Sequence, residues 1–365
     1  MVYLDPPFNS KRVYAAPIGS QSAGASFKDM WTWKDIDEAY LERMVNAYPS
    51  LVQFIKTVEV LHSRAMMAYL TYMTQRVIEL HRVLKATGSL YLHCDPTASH
   101  YLKVLLDRVF GKGNFLNEII WEYGLGGSSP KMFSRKHDVV FFYAKSDEYY
   151  FDKPQIDATS AMLMGKKKGM KDVWSDIPSL NNMAKERTGY PTQKPLALLK
   201  RMILASSREG AVVLDPFCGC ATTCVAAQHL NRSWVGIDIE AKAADLVVER
   251  LSDKFGLFND FVHRKDIPKR TDVVEEDVNS KDVKQRLFEE QSGKCNGCSV
   301  EFEIWNFEVD HVVPRSKGGG DYYENFQLLC GSCNRIKGNR PMEYLNAKIL
   351  KRDEMLRSMV TFLGK

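Results

Sequence analysis

The chain has 365 residues, 45% of them hydrophobic and 26% charged, enough for one large domain and one small one, each with its own core. Fifty Lys and Arg against 45 Asp and Glu leave a net charge of +5, a balance compatible with a nucleic-acid partner that does not by itself demand one. No apolar run is long enough to span a bilayer and no signal-peptide pattern opens the chain, which argues against a membrane enzyme and for the cytoplasm.

Val2-Tyr3-Leu4 predicts a very short strand that runs straight into Asp5-Pro6-Pro7-Phe8. A helix is expected from near Ala65 to Lys85, stopped by Thr87-Gly88, followed by a buried strand Ser89 to His93 and a helix His100 to Phe110 that ends at Gly111. Asn117 to Tyr123 and Val139 to Tyr143 are further strand candidates. Between 124 and 188 the character changes: GLGGSSP, the basic run Lys166 to Lys168, and scattered Phe133, Tyr149, Tyr150, Phe151 and Trp174 read as a loop-rich insertion rather than core. Its lysines suit phosphates and its aromatics suit bases, although a solvated loop accounts equally well for Lys166 to Lys168. Ala211 to Leu214 and Trp234 to Ile239 predict two more strands around a helix from about Thr222 to Leu230. Residues 271–283 are polar and acidic and read as a linker, 284–345 as a compact module, and 346–365 as a basic helical tail. There are no internal repeats. Over residues 1–270 strands alternate with helices, so an α/β fold with a parallel or mixed sheet is expected.

The chemistry lies in the turns. An exocyclic amine on a base is a poor nucleophile because its lone pair is delocalised into the ring. Accepting hydrogen bonds from that amine pulls its nitrogen toward tetrahedral geometry. Asp5 offers a carboxylate, Pro6 a main-chain carbonyl held rigid by its neighbour Pro7, and Phe8 a ring on which an extruded base can stack. Alone, the tetrapeptide also fits a proline-rich turn after a strand. A second turn, Asp215-Pro216-Phe217-Cys218-Gly219-Cys220-Ala221-Thr222, sits between a strand and a helix, where backbone approaches a nucleotide-like ligand. Asp238, at the end of the next strand, is placed for ribose hydroxyls. Pro191-Thr192-Gln193-Lys194-Pro195 precedes the strand that carries the glycine turn.

In this order, YLDPPFNS, KHDVVFFYAKS, GYPTQKP, LDPFCGCATT and WVGIDIE resemble the permuted β group of amino-methyltransferases, the DNA N-4/N-6 methylase family, over roughly residues 2 to 250. The resemblance implies a Rossmann-like fold with a mostly parallel sheet, S-adenosylmethionine as cofactor, and double-stranded DNA as partner. It makes Asp5, Pro6, Pro7 and Phe8 the holders of the target base and 124–188 the target-recognition segment. Thr192, Gln193, Lys194, Asp215, Phe217 and Gly219 would flank the methionine end of the cofactor, and Asp238 would take the ribose. In this family DPP is used mainly for adenine N6 and SPP for cytosine N4, so Asp5 favours adenine and leaves cytosine open. Ala221 stands where the family usually has Gly, and little effect is expected because Ala is small enough for close helix–sheet packing. Family members usually carry sequence ahead of the Asp-Pro-Pro turn, so a truncated start or an incomplete sheet is expected, with weakened cofactor affinity.

Eight cysteines are unevenly placed: Cys218, Cys220 and Cys224 read as packing in a tight turn, while Cys295-x-x-Cys298 and Cys330-x-x-Cys333 form two thiolate pairs suited to one structural Zn2+. The string FEVDHVVPRSKGGGDYYENFQLLCGSCNRIKG around them resembles the HNH endonuclease family, a two-stranded hairpin plus helix, over about 284–345. That resemblance makes His311 the general base, Asp310 and Asn334 ligands of Mg2+ or Mn2+, and Asn325 the residue that orients the loop carrying His311. Arg315, Lys317, Arg335 and Lys337 are candidates for phosphate contacts. His93 reads as a satisfied structural histidine, and Trp31, Trp33 and Trp121 as core or lid. The expected protein is a methyltransferase fused to an HNH module, of prokaryotic or phage type. The competing readings are a restriction-type endonuclease that methylates for self-protection, and an HNH module that only grips DNA. A homodimer is left open.

Overall fold

The computed structural model describes residues 1–32, 44, 47–124, 129–157, 165–255, 262, 264, 274–317, 319–340, 342, 344–346, 348 and 349. Trp33, the start of the expected linker and most of the expected tail lie outside them. The chain divides into two compact units, Met1–Ile36 with Ser50–His263, and Asp37–Pro49 with Arg264–Lys365. Among the described residues no helix is long and apolar enough to cross a membrane.

In the first unit the elements run β1 (Val2–Leu4), β2 (Arg12–Ala15), β3 (Ser26–Asp29), α1 (Pro49–Leu61), α2 (Arg64–Val83), β4 (Ser89–Cys94), α3 (Ser99–Phe110), β5 (Phe115–Glu122), β6 (His137–Ala144), β7 (Gln155–Asp157), β8 (Lys167–Gly169), β9 (Val173–Trp174), α4 (Leu196–Ser206), β10 (Val212–Asp215), α5 (Thr222–His229), β11 (Ser233–Gly236) and α6 (Ala241–Phe255). Seven strands form one sheet in the order β11-β10-β1-β4-β6-β5-β9. Most neighbours are parallel; β6 runs antiparallel to both β4 and β5. The mostly parallel α/β expectation is therefore correct.

β1 is short but central, and all three of its residues are buried, as expected where helices cover both faces of a parallel sheet. It pairs with β4 through Tyr3↔Tyr91 and Leu4↔Leu92, and with β10 through Val2↔Leu214. The amino terminus itself donates to the Val212 carbonyl at 3.0 Å. α2 begins at Ser63, whose hydroxyl accepts from the Met66 N–H and satisfies one of the open donors of the first turn.

Two expectations need correction. The stretch 124–188 is not all insertion. β6 is the core strand expected at Val139 to Tyr143, β9 adds to the sheet edge beside β5, and Trp174 and Ile177 join the cluster that holds Tyr91, Phe142, Leu198 and Met202. Turn residues on either side hid β9, Trp174 and Ile177. The strand expected to reach Ile239 stops at Gly236, because Ile237 to Ile239 leave the sheet to form one wall of a cavity. The other described residues of 124–188 agree with a loop-rich reading; in the β7–β8 hairpin Lys167 pairs with Asp157 at 2.7 Å.

The second unit contains α7 (Lys281–Glu290), β12 (Phe307–His311), β13 (Phe326–Cys330) and α8 (Gly331–Lys337). β12 and β13 pair antiparallel with His311 opposite Phe326, the hairpin-plus-helix expected from the sequence. Its core gathers Val283, Leu287, Phe307, Leu328 and Leu329 around the cysteines. Residues 274–283 are not a free linker: Glu275 bridges to Tyr322, the Glu276 N–H donates to the Asp321 carbonyl, and Val283 is buried.

Candidate functional site

Parallel pairing of β1, β10 and β11 brings the turns that follow them, at Asp5, Asp215 and Ile237, to one edge of the sheet. A cavity of about 830 Å³ opens there and is lined by Asp5, Pro6, Pro7 and Phe8, by Thr192, Gln193 and Lys194, and by Asp215, Phe217, Gly219 and Asp238. Every residue assigned from the sequence to base or cofactor thus faces one cavity. Trp31 lines it too, whereas Trp121 is buried and donates its Nε1–H to the Ile177 carbonyl at 2.8 Å.

Asp215 is fully enclosed at the end of β10. Burial pushes its carboxyl up to about 7, although hydrogen bonds from Thr223 and from the Phe217 N–H favour the anion. A buried carboxylate without a cation is suited to receive one, so the site fits a ligand that carries an ammonium group. Gly219 adopts φ +48, and a Cβ there would come within 2.9 Å of the Tyr190 ring, so the turn requires glycine both for its backbone and for its neighbour. The Gly219 N–H donates to Asp238 at 2.8 Å, which ties the glycine turn to the carboxylate expected at the ribose. Ala221 packs as expected, being fully buried, but its φ is +60. A residue with a Cβ pays for that left-handed backbone, which the packing argument from sequence overlooked. Cys218 and Cys224 are free, buried and packed against Ala221 and Trp234, as expected of thiols that only fill space.

The Pro191–Pro195 loop makes internal bonds. The Gln193 side chain accepts from both the N–H and the hydroxyl of Thr188 and donates to the Glu186 carbonyl at 2.7 Å. Lys194 places Nζ 2.6 Å from Asp5 Oδ2.

Behind Phe8 lies a network that the sequence did not reveal. His93, fully buried on β4, stacks on the Phe8 ring with centroids 6.2 Å apart and planes inclined at 26°. Its Nδ1 is 3.0 Å from the Tyr3 hydroxyl and its Nε2 is 3.1 Å from Asp138 Oδ2, while Tyr123 donates to the other Asp138 oxygen. Burial works to raise the Asp138 carboxyl, but hydrogen bonding and charge from His93 outweigh it and the net shift is downward. An ionised Asp138 only accepts, so His93 Nε2 carries a proton toward it, while Nδ1 shares a hydrogen bond with the Tyr3 hydroxyl. The reading of His93 as a satisfied structural histidine agrees with this. The only sequence signal for Asp138 was its place in KHDVVFFY, at the start of a buried strand.

In the second unit the four sulfurs of Cys295, Cys298, Cys330 and Cys333 all lie within 4.8 Å of one another. A tetrahedron of Zn–S bonds has edges of about 3.8 Å, so the cluster fits one structural zinc. The N–H groups of Gly297 and Cys330 point at the Cys295 sulfur at 3.4 and 3.2 Å, as suits a thiolate. His311 Nε2 is 2.7 Å from Asp321 Oδ1, and Arg315 grips the same carboxylate. Asp321 was missed from sequence, because its link to His311 depends on how the intervening loop folds back. The fully buried Asn325 closes that loop: its side chain donates to the carbonyls of Val313 and Gly320 and accepts from the Val313 N–H at 2.9 Å. Asp310 and Asn334 are oxygen donors of the kind a hard cation takes. Asp310 Oδ2 is held at 2.9 Å by Lys337, and Asn334 donates its Nδ2 to Glu308. Lys337, expected as a surface phosphate contact, is instead fully buried, with Nζ also 2.9 Å from the His311 carbonyl.

Comparison with known proteins agrees with this geometry. The DNA methylase family matches residues 1–249 and the HNH endonuclease family residues 295–340. The type II methyltransferase M.HpaI of Haemophilus parainfluenzae is 32% identical over 201 residues, 54% of this chain and 63% of that protein. M.BglII of Bacillus subtilis is 28% identical over 253 residues, 63% of this chain and 69% of that protein. The chain thus spans about 63% of the length of M.HpaI. The M1.HpyAVI–SAM complex is 21% identical, covering 49% of this chain and 82% of that one at a TM-score of 0.39, too low to bear on the site. On the match over residues 1–249, the chain belongs to the DNA methylase family, and its second unit carries an HNH endonuclease domain.

Proposed function

We propose that the chain transfers a methyl group from S-adenosylmethionine to the exocyclic amine of a base in double-stranded DNA, adenine N6 in preference to cytosine N4, and that its HNH domain cuts or nicks DNA. One observation carries the first part: Asp5-Pro6-Pro7-Phe8 and the Asp215–Gly219 turn, from opposite ends of the family match, open into a single cavity. Asp215, Phe217, Gly219 and Asp238 hold the cofactor, with the buried Asp215 carboxylate facing its ammonium group. When bound, the cofactor supplies an electrophilic methyl group on a sulfonium. Phe8 stacks on the extruded base, while Asp5 and the Pro6 carbonyl accept from its amine and localise the nitrogen lone pair. Transfer is direct, with no covalent intermediate on the protein. The carboxylate at position 5 favours adenine because that is the family's usual pairing.

In the HNH domain His311 is the base that activates water. Asp321 accepts from Nε2, which leaves the Nδ1 lone pair to take the proton. Asp310 and Asn334 would hold Mg2+ or Mn2+, which polarises the scissile phosphate, and Asn325 holds the loop that presents His311. The cysteine cluster would hold zinc. The intact Asp310, His311, Asn325 and Asn334 set favours cleavage over a module that only grips DNA. Label transfer from radioactive S-adenosylmethionine to duplex DNA should be lost in Asp5→Ala and kept in His311→Ala. Nicking with Mg2+ or Mn2+ and no cofactor should show the reverse. Undiminished label transfer by Asp5→Ala overturns the assignment.

A further inference from the structure

The geometry points to Lys194 as a positioning residue of the target-amine site, not a ligand of the methionine end of the cofactor. This rests on the methyltransferase reading and specifies how the base-holding turn is aimed. Lys194 Nζ lies 2.6 Å from Asp5 Oδ2, across 189 positions of sequence, and 5.4 Å from the centroid of the Phe8 ring. The side chains of the pair are only 9% and 16% exposed, so the ammonium is largely stripped of water and depends on its partner. Its backbone has little slack. Thr192 turns the chain at φ +62, Gln193 binds back to Thr188 and Glu186, and Pro195 caps α4 immediately afterwards. The loop therefore delivers Lys194 to Asp5 as a fixed strut.

Two physical consequences favour this role. A carboxylate pinned through Oδ2 cannot spin about its last bond, so Oδ1 keeps one direction in a residue that lines the cavity and is left to accept from the amine. Pinning weakens Asp5 somewhat as an acceptor, but transfer depends more steeply on alignment of the nitrogen lone pair than on acceptor strength. The second consequence is electrostatic. An unpaired ammonium in this cavity would repel a cofactor bearing a sulfonium and an ammonium of its own. Paired with Asp5 it presents no net charge to that cofactor.

The test separates binding from transfer in the full-length protein. Cofactor dissociation constants are measured by calorimetry with S-adenosylmethionine, and methyl transfer to duplex DNA in single turnover at saturating cofactor, for wild type, Lys194→Met, Lys194→Arg, Asp5→Asn and Lys194→Met/Asp5→Asn. Lys194→Met should bind the cofactor within about twofold of wild type and transfer about 100-fold more slowly, with Lys194→Arg intermediate. The double variant should be no slower than Asp5→Asn alone, because both substitutions break one unit. Calorimetric binding by each variant shows that it is folded. Cofactor affinity lowered tenfold or more, with the saturated transfer rate intact in Lys194→Met and Lys194→Arg, overturns the positioning role and returns Lys194 to the cofactor. Wild-type protein that transfers no label overturns the methyltransferase reading and this role with it; wild-type transfer with unchanged variants overturns only this role.

Discussion

The two units hold their reactive side chains by different means. In the first, the residues of the cavity come from turns at both ends of the family match and meet because β1, β10 and β11 run parallel in register. Charges are buried in and behind it: Asp215, Lys194 against Asp5, and Asp138 against His93. In the second, Asp310, His311, Asn325 and Asn334 lie within one short hairpin-plus-helix, beside the cysteine cluster. The second unit buries a charge as well, Lys337 against Asp310, but its core is smaller and its four clustered cysteines are of the kind that a zinc would tie together. Long-range assembly thus builds one site, and a single local motif the other.

The largest expected effect tests that contrast directly. The proposed zinc would contribute about 10 kcal/mol of binding energy, so a chelator should unfold the second unit and Cys298→Ser should weaken it. Hydrogen-exchange mass spectrometry on the full chain should show β12 and β13 losing protection while β1, β4 and β10 keep theirs; retained protection in β12 would break the comparison. Next, His311→Ala should lower metal-dependent nicking by about 10³-fold, and Asp321→Asn by less, since Asp321 only orients the base. Equal losses would place Asp321 in the reaction itself. In the first unit, His93→Leu strands Asp138 and the Tyr3 hydroxyl inside the sheet and should cost about 3 kcal/mol, read from denaturant unfolding of that unit. A neutral result would mean that Asp138 takes its stability from Tyr123 alone.

Asp215 supplies a prediction in which function and stability move in opposite directions. Its carboxyl titrates at about 7 in the fold against 3.8 ordinarily, so on raising the pH the unfolded chain releases this proton first. The folded state therefore loses stability from this group as pH climbs from about 4 to about 7, and the cost is full above 7. Asp215→Asn should raise the melting temperature of the ligand-free protein at pH 8 and weaken cofactor binding about tenfold or more. Wild-type cofactor affinity should increase as pH rises through 7, because the anion is the form that meets an ammonium; a flat profile in calorimetry would remove Asp215 from the cofactor. The smallest effect is at Ala221, where Ala221→Gly relieves the left-handed backbone and should stabilise the first unit by about 1 kcal/mol. A loss instead would show that the buried methyl group contributes more than the backbone strain costs.

What was legible in the sequence follows from distance along the chain. Asp5 to Phe8, Thr192 to Lys194 and Asp215 to Gly219 were readable because each is a local turn whose residue types are dictated by its own chemistry. Five strands of the large sheet, β1, β4, β5, β6 and β10, were readable within two residues because apolar runs are local too, whereas the short β2, β3, β7 and β8 were not. Trp174 and Ile177 were not, since two buried residues among turns have no period. Asp138, Asp321 and the burial of Lys337 were equally silent, because each depends on a partner on another element. The true cost at Ala221 needed a dihedral angle that composition does not carry.

The sequence by itself determined the family, the order of its motifs, the α/β class, the paired C-x-x-C cluster and the Asp5-Pro6-Pro7-Phe8 turn. Only the tertiary structure decided that β1 lies inside the sheet between β10 and β4, that Phe8 rests on His93, and that Lys194 reaches Asp5. The physical reason is one of range. Turn chemistry is enforced by the few residues that make the turn, whereas an ion pair spanning 189 positions exists only if the whole fold sets both loops side by side.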